Sequence, residues 1–259
     1  MKKLLPILII GLVFLTGCGT SKKEEAEKFY DQDAIKNIAL SLDRRWEYTD
    51  SKEGMEADTV DMYKKSTQIE IDTLNSQDFS DKKFKDNKLK ELYLSYKNQM
   101  DDIKKMIENT SESSIPQKWS EYYDERTKTI SQIDAIESIP VKDKDTLKEL
   151  INNGNEVSET ESIDKKIDAL LSTIKFTEQP QEFESDFKTY ESNVENTTDK
   201  SFKTINAKVY LENKDGVRVA TQYINISDWT PGQKVSVSFS TDKPFTKTTI
   251  VKDYYELSK

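Results

Sequence analysis

The chain has 259 residues, enough for one large domain or two small ones, and its 39 basic and 48 acidic side chains give a net charge of −9. It contains no histidine and one cysteine, which excludes histidine-based catalytic triads, histidine metal sites and disulfides within the chain. Because 34% of the residues are charged and 34% are apolar, we expect a thin hydrophobic core. The acidic balance argues against a nucleic-acid partner.

The first 17 residues have the composition of an export signal. Lys2 and Lys3 precede an uninterrupted run of 12 residues, 4–15, that carries no charge. As a helix this run would span about 18 Å, whereas the hydrocarbon core of a bilayer is about 30 Å thick. The segment therefore predicts a secretory signal peptide rather than a membrane span.

The four residues Leu15-Thr16-Gly17-Cys18 resemble the lipobox of bacterial lipoproteins, in which small residues precede a lipid-accepting cysteine. The resemblance implies that Cys18 receives a diacylglycerol on its sulfur and that a signal peptidase cuts between Gly17 and Cys18. Two acyl chains hold a protein stably at a membrane, whereas one does so only marginally. Cleavage would leave 242 residues with a net charge of −11, which anionic lipids repel, so we expect the lipid on Cys18 to be the anchor. An ordinary signal peptide with a chance cysteine is the alternative.

After a short polar tether at residues 18–23, the pattern of residues 24–178 is helical and predicts five or six helices in an antiparallel bundle. Ser21-x-x-Glu24 has the spacing of a capping box and predicts the first helix start. A second helix is predicted over about 52–74. The third shows the heptad spacing of a coiled-coil seam. Its apolar positions are Leu89, Tyr93, Tyr96, Met100, Ile103 and Ile107.

The later helices are predicted from their end signals. Pro116 suits the first turn of a fourth helix. Its inward stripe is Trp119, Tyr123, Arg126, Ile130 and Ile133. Thr146-x-x-Glu149 predicts the start of a short helix, and Asn152-Asn153-Gly154-Asn155 predicts its end, because Asn and Gly tolerate the left-handed conformation there. Ser158-x-x-Glu161 then predicts the last helix, and Gln179-Pro180-Gln181 a domain boundary.

Residues 183–259 change to the alternating pattern of strands, so the fold class we expect is α+β, with an N-terminal helical bundle followed by a small antiparallel Ig-like β-sandwich. About five strands are predicted. Asp215-Gly216 and Thr230-Pro231-Gly232 supply turns between them. The apolar alternation shifts by one residue between Tyr223 and Ile224, which predicts a β-bulge there.

Three stretches of this region resemble domains of the FxLYD type. The stretch 194–202, VENTTDKSF, is similar to the family's V-x-N-x-(S/T)-x-K-x-(L/F) opening, and Lys214-Asp215-Gly216 and Thr230-Pro231-Gly232-Gln233 match its two turns. Of the motif that names the family, only Leu211 is present. The resemblance covers roughly the last 65 residues and implies a small Ig-like module of secreted or lipid-anchored proteins, mostly from Gram-positive bacteria, that binds or displays rather than catalyses.

Positive signals for chemistry are few. None of the nucleotide-binding, nucleophile-elbow or zinc-protease motifs is present, so we predict no enzyme, no catalytic residue, no cofactor and no metal site. Pairs of acidic residues at 31–33, 101–102 and 143–145 could bind Ca²⁺ but lack the EF-hand arrangement. Arg44-Arg45-Trp46 and the aromatic residues at 119–123 could line a ligand cleft, although their helical spacing favours core.

The function we expect is a lipid-anchored extracytoplasmic bacterial lipoprotein that acts as a non-catalytic envelope binding or scaffolding module. Its partners would be the membrane, through the lipid on Cys18, and an envelope protein. One alternative is a solute-binding lipoprotein of a transporter, which usually needs two α/β lobes around a cleft. The other is a histidine-free envelope hydrolase, which a Ser-Lys pair or converging carboxylates in a deep pocket would favour.

Overall fold

The computed structural model describes residues 27–181 and 183–258, and in these residues the fold is α+β, as expected. Six α-helices come first and two small antiparallel sheets follow. The helices are α1 (Asp31–Thr49), α2 (Lys52–Glu56), α3 (Thr59–Asn75), α4 (Asn87–Asn109), α5 (Ile115–Ile136) and α6 (Lys144–Ser172). The strands are β1 (Thr177–Glu178), β2 (Lys188–Glu195), β3 (Phe202–Glu212), β4 (Arg218–Trp229), β5 (Lys234–Thr241) and β6 (Lys247–Leu257).

The predictions on Gly17, Cys18 and the capping box at Ser21 and Glu24 lie outside the described residues. The first described helix, α1, begins at Asp31. Ala34, Ile38 and Leu42, which recur every four residues along this helix, are buried.

The helix predicted over 52–74 is in fact two helices, α2 and α3. Its break follows from Asp58, whose carboxylate accepts hydrogen bonds from the backbone N–H groups of Val60 at 2.9 Å and Asp61 at 3.0 Å. Aspartate in this position starts a helix by satisfying donors that have no partner within it. In α4 all six predicted apolar positions are buried, and Pro116 lies in the first turn of α5 as expected.

The short helix and the last helix of the prediction are one continuous helix, α6, of 29 residues. It is capped by Asp143 rather than by Thr146. The expected stop at residues 152–155 is wrong because Gly154 has another role. A Cβ atom there would lie 2.2 Å from the carbonyl oxygen of Thr127 on α5, so glycine lets the two helices pack at close range. Ser158, the expected helix start, lies inside α6 and donates a hydrogen bond to the Gly154 carbonyl at 2.8 Å.

The described residues form two hydrophobic clusters, and α6 contributes to both of them. The first cluster joins the helices and includes Leu147 and Leu150 from the beginning of α6. The second joins the last turns of α6 to the inner faces of the sheets and starts at Ile163. The division between the clusters therefore falls inside α6, before the Gln179-Pro180-Gln181 segment.

The two sheets are three-stranded and antiparallel, with strand orders β1-β2-β5 and β4-β3-β6. Strand β1 is short and was missed by the sequence analysis. The predicted bulge exists in β4 but lies at Val219, because Leu211 pairs with Ala220 and Glu212 with Arg218. Ile224 pairs in register with Ala207. The prediction at Tyr223 and Ile224 is therefore wrong.

Candidate functional site: a buried ion cluster beside a small cavity

The aromatic segments that could have lined a ligand cleft belong to the helical core, which confirms the preferred expectation. Trp119 and Arg45 are buried, and Trp46 packs against the core. The Trp119 ring stacks on that of Tyr63 with the ring centroids 4.0 Å apart, and the Arg45 guanidinium lies 5.4 Å from the Trp119 ring centroid. These rings help to remove Arg45 from solvent.

Four polar side chains from four different helices meet inside this core. Glu70 of α3 accepts a hydrogen bond from Arg45 of α1, with 2.8 Å between Oε2 and Nη1. Its other oxygen, Oε1, accepts from Arg126 of α5, at 3.1 Å from Nε and 2.8 Å from Nη2. The Tyr96 hydroxyl of α4 donates to the same Oε1. Glu70 and Tyr96 are fully buried, and Arg126 is nearly so.

Burial and charge act against each other in this cluster. Burial alone would raise the pKa of Glu70, but the guanidinium groups of Arg126 and Arg45 outweigh it and lower the pKa. Burial would likewise lower the pKa of Arg126, yet the Glu70 carboxylate raises it. Burial raises the pKa of the Tyr96 hydroxyl, which stays protonated. At neutral pH the cluster thus holds two cations and one anion.

The cluster is a structural centre rather than a reaction site. Glu70 is ionised and its oxygens are occupied by three donors, so it is not free to accept a proton from a substrate. Its full burial also leaves a substrate no approach. A second buried contact lies further along the same helices, where Tyr93 donates to the Asn37 side chain, which donates to the Thr73 carbonyl, each at 3.0 Å.

One signal in the sequence pointed to this cluster, namely an arginine, Arg126, in the middle of an apolar stripe. Glu70 carried no such signal, because the periodicity of its segment is loose and an acidic residue there reads as surface. The pairing of residues 45, 70, 96 and 126 depends on the packing of four helices, which the spacing within each helix does not reveal.

A cavity of about 200 Å³ lies between α3 and α4, next to the cluster. Polar and charged side chains from both helices line it, together with Ile107 of α4. The lining residues are Lys64, Thr67, Gln68, Lys104, Ile107 and Glu108. Thr67 lies one helical turn before Glu70 and is 1% exposed, and its hydroxyl has no hydrogen-bond partner among the described residues. Nearly all buried polar groups in folded proteins have a partner, so this hydroxyl is an exception, but its oxygen is itself buried and does not open into the cavity.

The acidic pairs that could have bound Ca²⁺ serve other roles. The Asp31 carboxylate accepts hydrogen bonds from the backbone N–H groups of Lys85 and Asp86 at 2.9 and 3.0 Å, and Asp143 caps α6. Asp102 is exposed and pairs with Lys105. Within residues 27–181 and 183–258, no group of three or more acidic or sulfur side chains is arranged to hold a metal ion.

Two of the three stretches that carry the FxLYD resemblance, 194–202 and 230–233, lie together in the β region, whereas the 214–216 turn lies at the other end of the β3–β4 hairpin. The buried Asn196 side chain donates to the carbonyl oxygens of Lys200 at 2.9 Å and Trp229 at 3.1 Å, and it accepts from the Thr198 hydroxyl at 2.7 Å. The Trp229 indole donates to the Gln233 carbonyl at 2.9 Å. These bonds hold the loop after β2 to the turn between β4 and β5.

None of the helices in the described part of the chain is long and apolar enough to cross a membrane. No family model and no curated protein matches the sequence. Among solved structures, IrmA from Escherichia coli is similar over 33% of this chain and 79% of that one, with 13% identity and a TM-score of 0.25. A similarity at this level does not show a shared fold.

Proposed function

We propose that this chain is a bacterial lipoprotein, held on the extracytoplasmic face of the cell membrane by a diacylglycerol on Cys18. The observation that carries the proposal is the segment Leu15-Thr16-Gly17-Cys18 after a basic and apolar leader. The sole cysteine of the chain stands at the one position where lipid attachment requires it. The resemblance of the C-terminal region to FxLYD domains favours a Gram-positive host.

We further propose that the protein is a non-catalytic binding or scaffolding module of the envelope, with residues 24–178 as an antiparallel helical bundle and 183–259 as an Ig-like sandwich. Successive long helices contact one another, and both sheets face one hydrophobic cluster, which supports this arrangement. The ionisable cluster at Glu70 is sealed and fully paired, so it does not favour the hydrolase alternative.

Replacing Cys18 with alanine tests the anchor. We expect the C18A variant to lose incorporation of labelled palmitate and either to be released from the membrane or to accumulate with its signal peptide uncut. Ser21→Ala, which leaves the lipobox unchanged, is the matched control and should be lipidated normally. Mass spectrometry of the native polypeptide showing an unmodified Cys18 thiol on cytosolic protein would overturn the proposal.

The binding role is tested separately by crosslinking in intact cells followed by capture of the wild-type chain. A scaffolding module should recover the same envelope protein reproducibly. Failure to recover any partner from cells in which Cys18 is lipidated would count against the binding role and would leave the proposed lipid anchor unaffected.

A further inference from the structure

We propose that the outer face of the β4-β3-β6 sheet binds a neutral oligosaccharide, whose sugar rings lie on Tyr223 and Tyr254 and whose hydroxyl groups bond the carboxamides between them. The proposal names a ligand for the binding role proposed above and rests on that role, but it does not depend on the lipid at Cys18. It is assigned from two exposed rings, a pair of carboxamides and a balance of charge, all on one face of the sheet.

The β4-β3-β6 sheet has one buried face and one exposed face. Ile205, Ala207 and Val209 of β3 are buried in the second hydrophobic cluster. Because successive side chains of a strand point to opposite faces, Asn206 and Lys208 of β3 lie on the outer face. The residues that pair with these two on β4 and β6 share that face with them.

Two tyrosines project from the outer face. Tyr223 of β4 lies opposite Lys208, and Tyr254 of β6 lies opposite Asn206. Their side chains are 66% and 53% exposed. With strands about 4.8 Å apart and a rise of about 3.4 Å per residue, their Cα atoms stand about 12 Å apart on a diagonal across β3. Each ring offers an apolar surface to the C–H groups of a sugar and a hydroxyl to its oxygens, so this separation suits a chain of several sugars.

Carboxamides lie between the two rings. Asn225 of β4 is paired with Asn206 of β3, and its Nδ2 donates to the Asn206 side-chain oxygen and, at 2.9 Å, to the Thr204 hydroxyl. The Asn225 oxygen accepts from the Ser227 hydroxyl at 3.1 Å. These bonds use both donors of Asn225 but only the oxygen of Asn206, so the N–H groups of Asn206 can be donated to a ligand. They also hold the two side chains in place before a ligand arrives, which lowers the entropy lost on binding.

The charges of the outer face cancel among the residues that the structure describes. Its ion pairs are Lys203–Glu256, Lys208–Asp253 and Lys247–Glu212. Arg218 is the remaining cation, with its guanidinium 3.3 Å from the Tyr210 ring centroid, and Asp228, near Lys203, balances its charge. Four basic and four acidic side chains therefore leave no excess that would select an ionic ligand, and a neutral ligand fits this face best.

The apolar part of the face is small for a protein partner. Besides the two tyrosines, the large apolar side chain that it exposes is Val251, at 42%. A stable protein interface buries about 800 Å² on each partner around an apolar core. Rings set apart from one another among hydroxyl and amide groups suit a sugar chain better than such a core.

The test is a titration of the full chain with chitohexaose, a neutral chain of six N-acetylglucosamine units, followed by NMR of isotope-labelled tyrosine rings. We expect the Tyr223 and Tyr254 signals to shift saturably, whereas the signal of Tyr190 in the other sheet should stay. Chitobiose is too short to reach both rings and should bind at least about tenfold more weakly. A tenfold rise in ionic strength should change the affinity by less than about twofold, because the face is neutral.

Variants separate the rings from the rest of the surface. Tyr223→Ala and Tyr254→Ala should each weaken chitohexaose binding about tenfold, and Tyr223→Phe, which keeps the ring, should retain it within about threefold. Phe187→Ala is the matched control, because Phe187 is a 58% exposed aromatic residue before β2 and lies outside this face. The melting temperature should stay the same in all four variants, since each changes an exposed side chain.

Four outcomes would overturn the proposal. They are the absence of a saturable shift with chitohexaose, equal affinity for chitohexaose and chitobiose, unchanged affinity in Tyr223→Ala, and self-association of the chain that Tyr223→Ala abolishes, which would assign the face to a second copy. Each of them rejects this ligand, whereas the binding role itself is rejected only when crosslinking in cells recovers no partner.

Discussion

Glu70 is a residue on which the helical core depends strongly, because it is in contact with two buried guanidinium groups. Removing one partner of a buried ion pair leaves the other charge without compensation. We expect Glu70→Gln, which keeps the shape and removes the charge, to lower the free energy of unfolding by about 3–5 kcal/mol.

Urea denaturation followed by circular dichroism measures this change. Glu91→Gln is the matched control, because Glu91 pairs with Lys88 on the exposed face of α4, and it should change stability by less than about 0.5 kcal/mol. A Glu70→Gln variant as stable as the control would show that the arginines find other partners.

Glu70 also makes the stability of the protein depend on pH. Its pKa in the fold lies below the ordinary value of 4.5, so its stabilising contribution is complete above pH 4.5 and is lost as the pH falls through the folded pKa. The difference in free energy of unfolding between wild type and Glu70→Gln should therefore be constant near neutral pH and shrink in acid. Denaturation curves of both proteins at a series of pH values measure it, and a difference that grows in acid would contradict the assignment.

At the scale of elements, Gly154 fixes how closely α5 and α6 pack. A methyl group there would meet the carbonyl oxygen of Thr127 at 2.2 Å and its carbonyl carbon at 2.6 Å, and backbone atoms do not move aside as side chains do. Although alanine favours helix by about 1 kcal/mol over glycine, we expect Gly154→Ala to destabilise the protein by about 3 kcal/mol.

Thermal and urea unfolding of Gly154→Ala measure this loss of stability, and Gly216→Ala is the control. Gly216 has φ = 76° and open space around its Cβ position, so its substitution should cost only the conformational strain, about 1 kcal/mol. A stabilised Gly154→Ala variant would mean that the helices separate at no cost.

Gly154 also shows where prediction from the sequence ended. Composition and local signals suffice to predict an α+β chain, the buried stripe of α4, the proline at the start of α5 and the alternating pattern of the C-terminal strands. The same reasoning took Asn152-Asn153-Gly154-Asn155 as a helix stop, because glycine at a helix end and glycine at a close helix contact look alike until the neighbouring helix is known.

The candidate site likewise depends on the packing of neighbouring elements. The threonine at 67 is unremarkable in the sequence, and the burial of its hydroxyl without a hydrogen-bond partner among the described residues follows only from the packing of α3 against its neighbours. Likewise the bulge in β4 was predicted from a real shift in alternation, but its position at Val219 depends on the pairing with β3. Features that depend on a single helix or strand could be predicted from the sequence. Features that depend on how two of them pack or pair could not.

At the scale of the whole molecule, α6 connects the two hydrophobic clusters. Its first half packs among the helices, and its last turns fill the second cluster through Ile163 and Ile167. Ion pairs reinforce the second half, with Lys200 at 2.7 Å from Glu159 and Lys252 in contact with Asp164. Because a helix is costly to nucleate and cheap to extend, an intact α6 should make the two clusters unfold together.

Glu156 allows this coupling to be tested, because it is exposed and lies on α6 between the two clusters. A proline in a helix interior removes one hydrogen bond and costs about 3 kcal/mol, whereas alanine is neutral. We expect hydrogen exchange in denaturant, read by mass spectrometry, to give one common opening free energy for α4 and β3 in wild type and Glu156→Ala. In Glu156→Pro the two values should separate.

Separate values in wild type would show that the clusters are already independent, and a common value in Glu156→Pro would show that contacts outside α6 couple them.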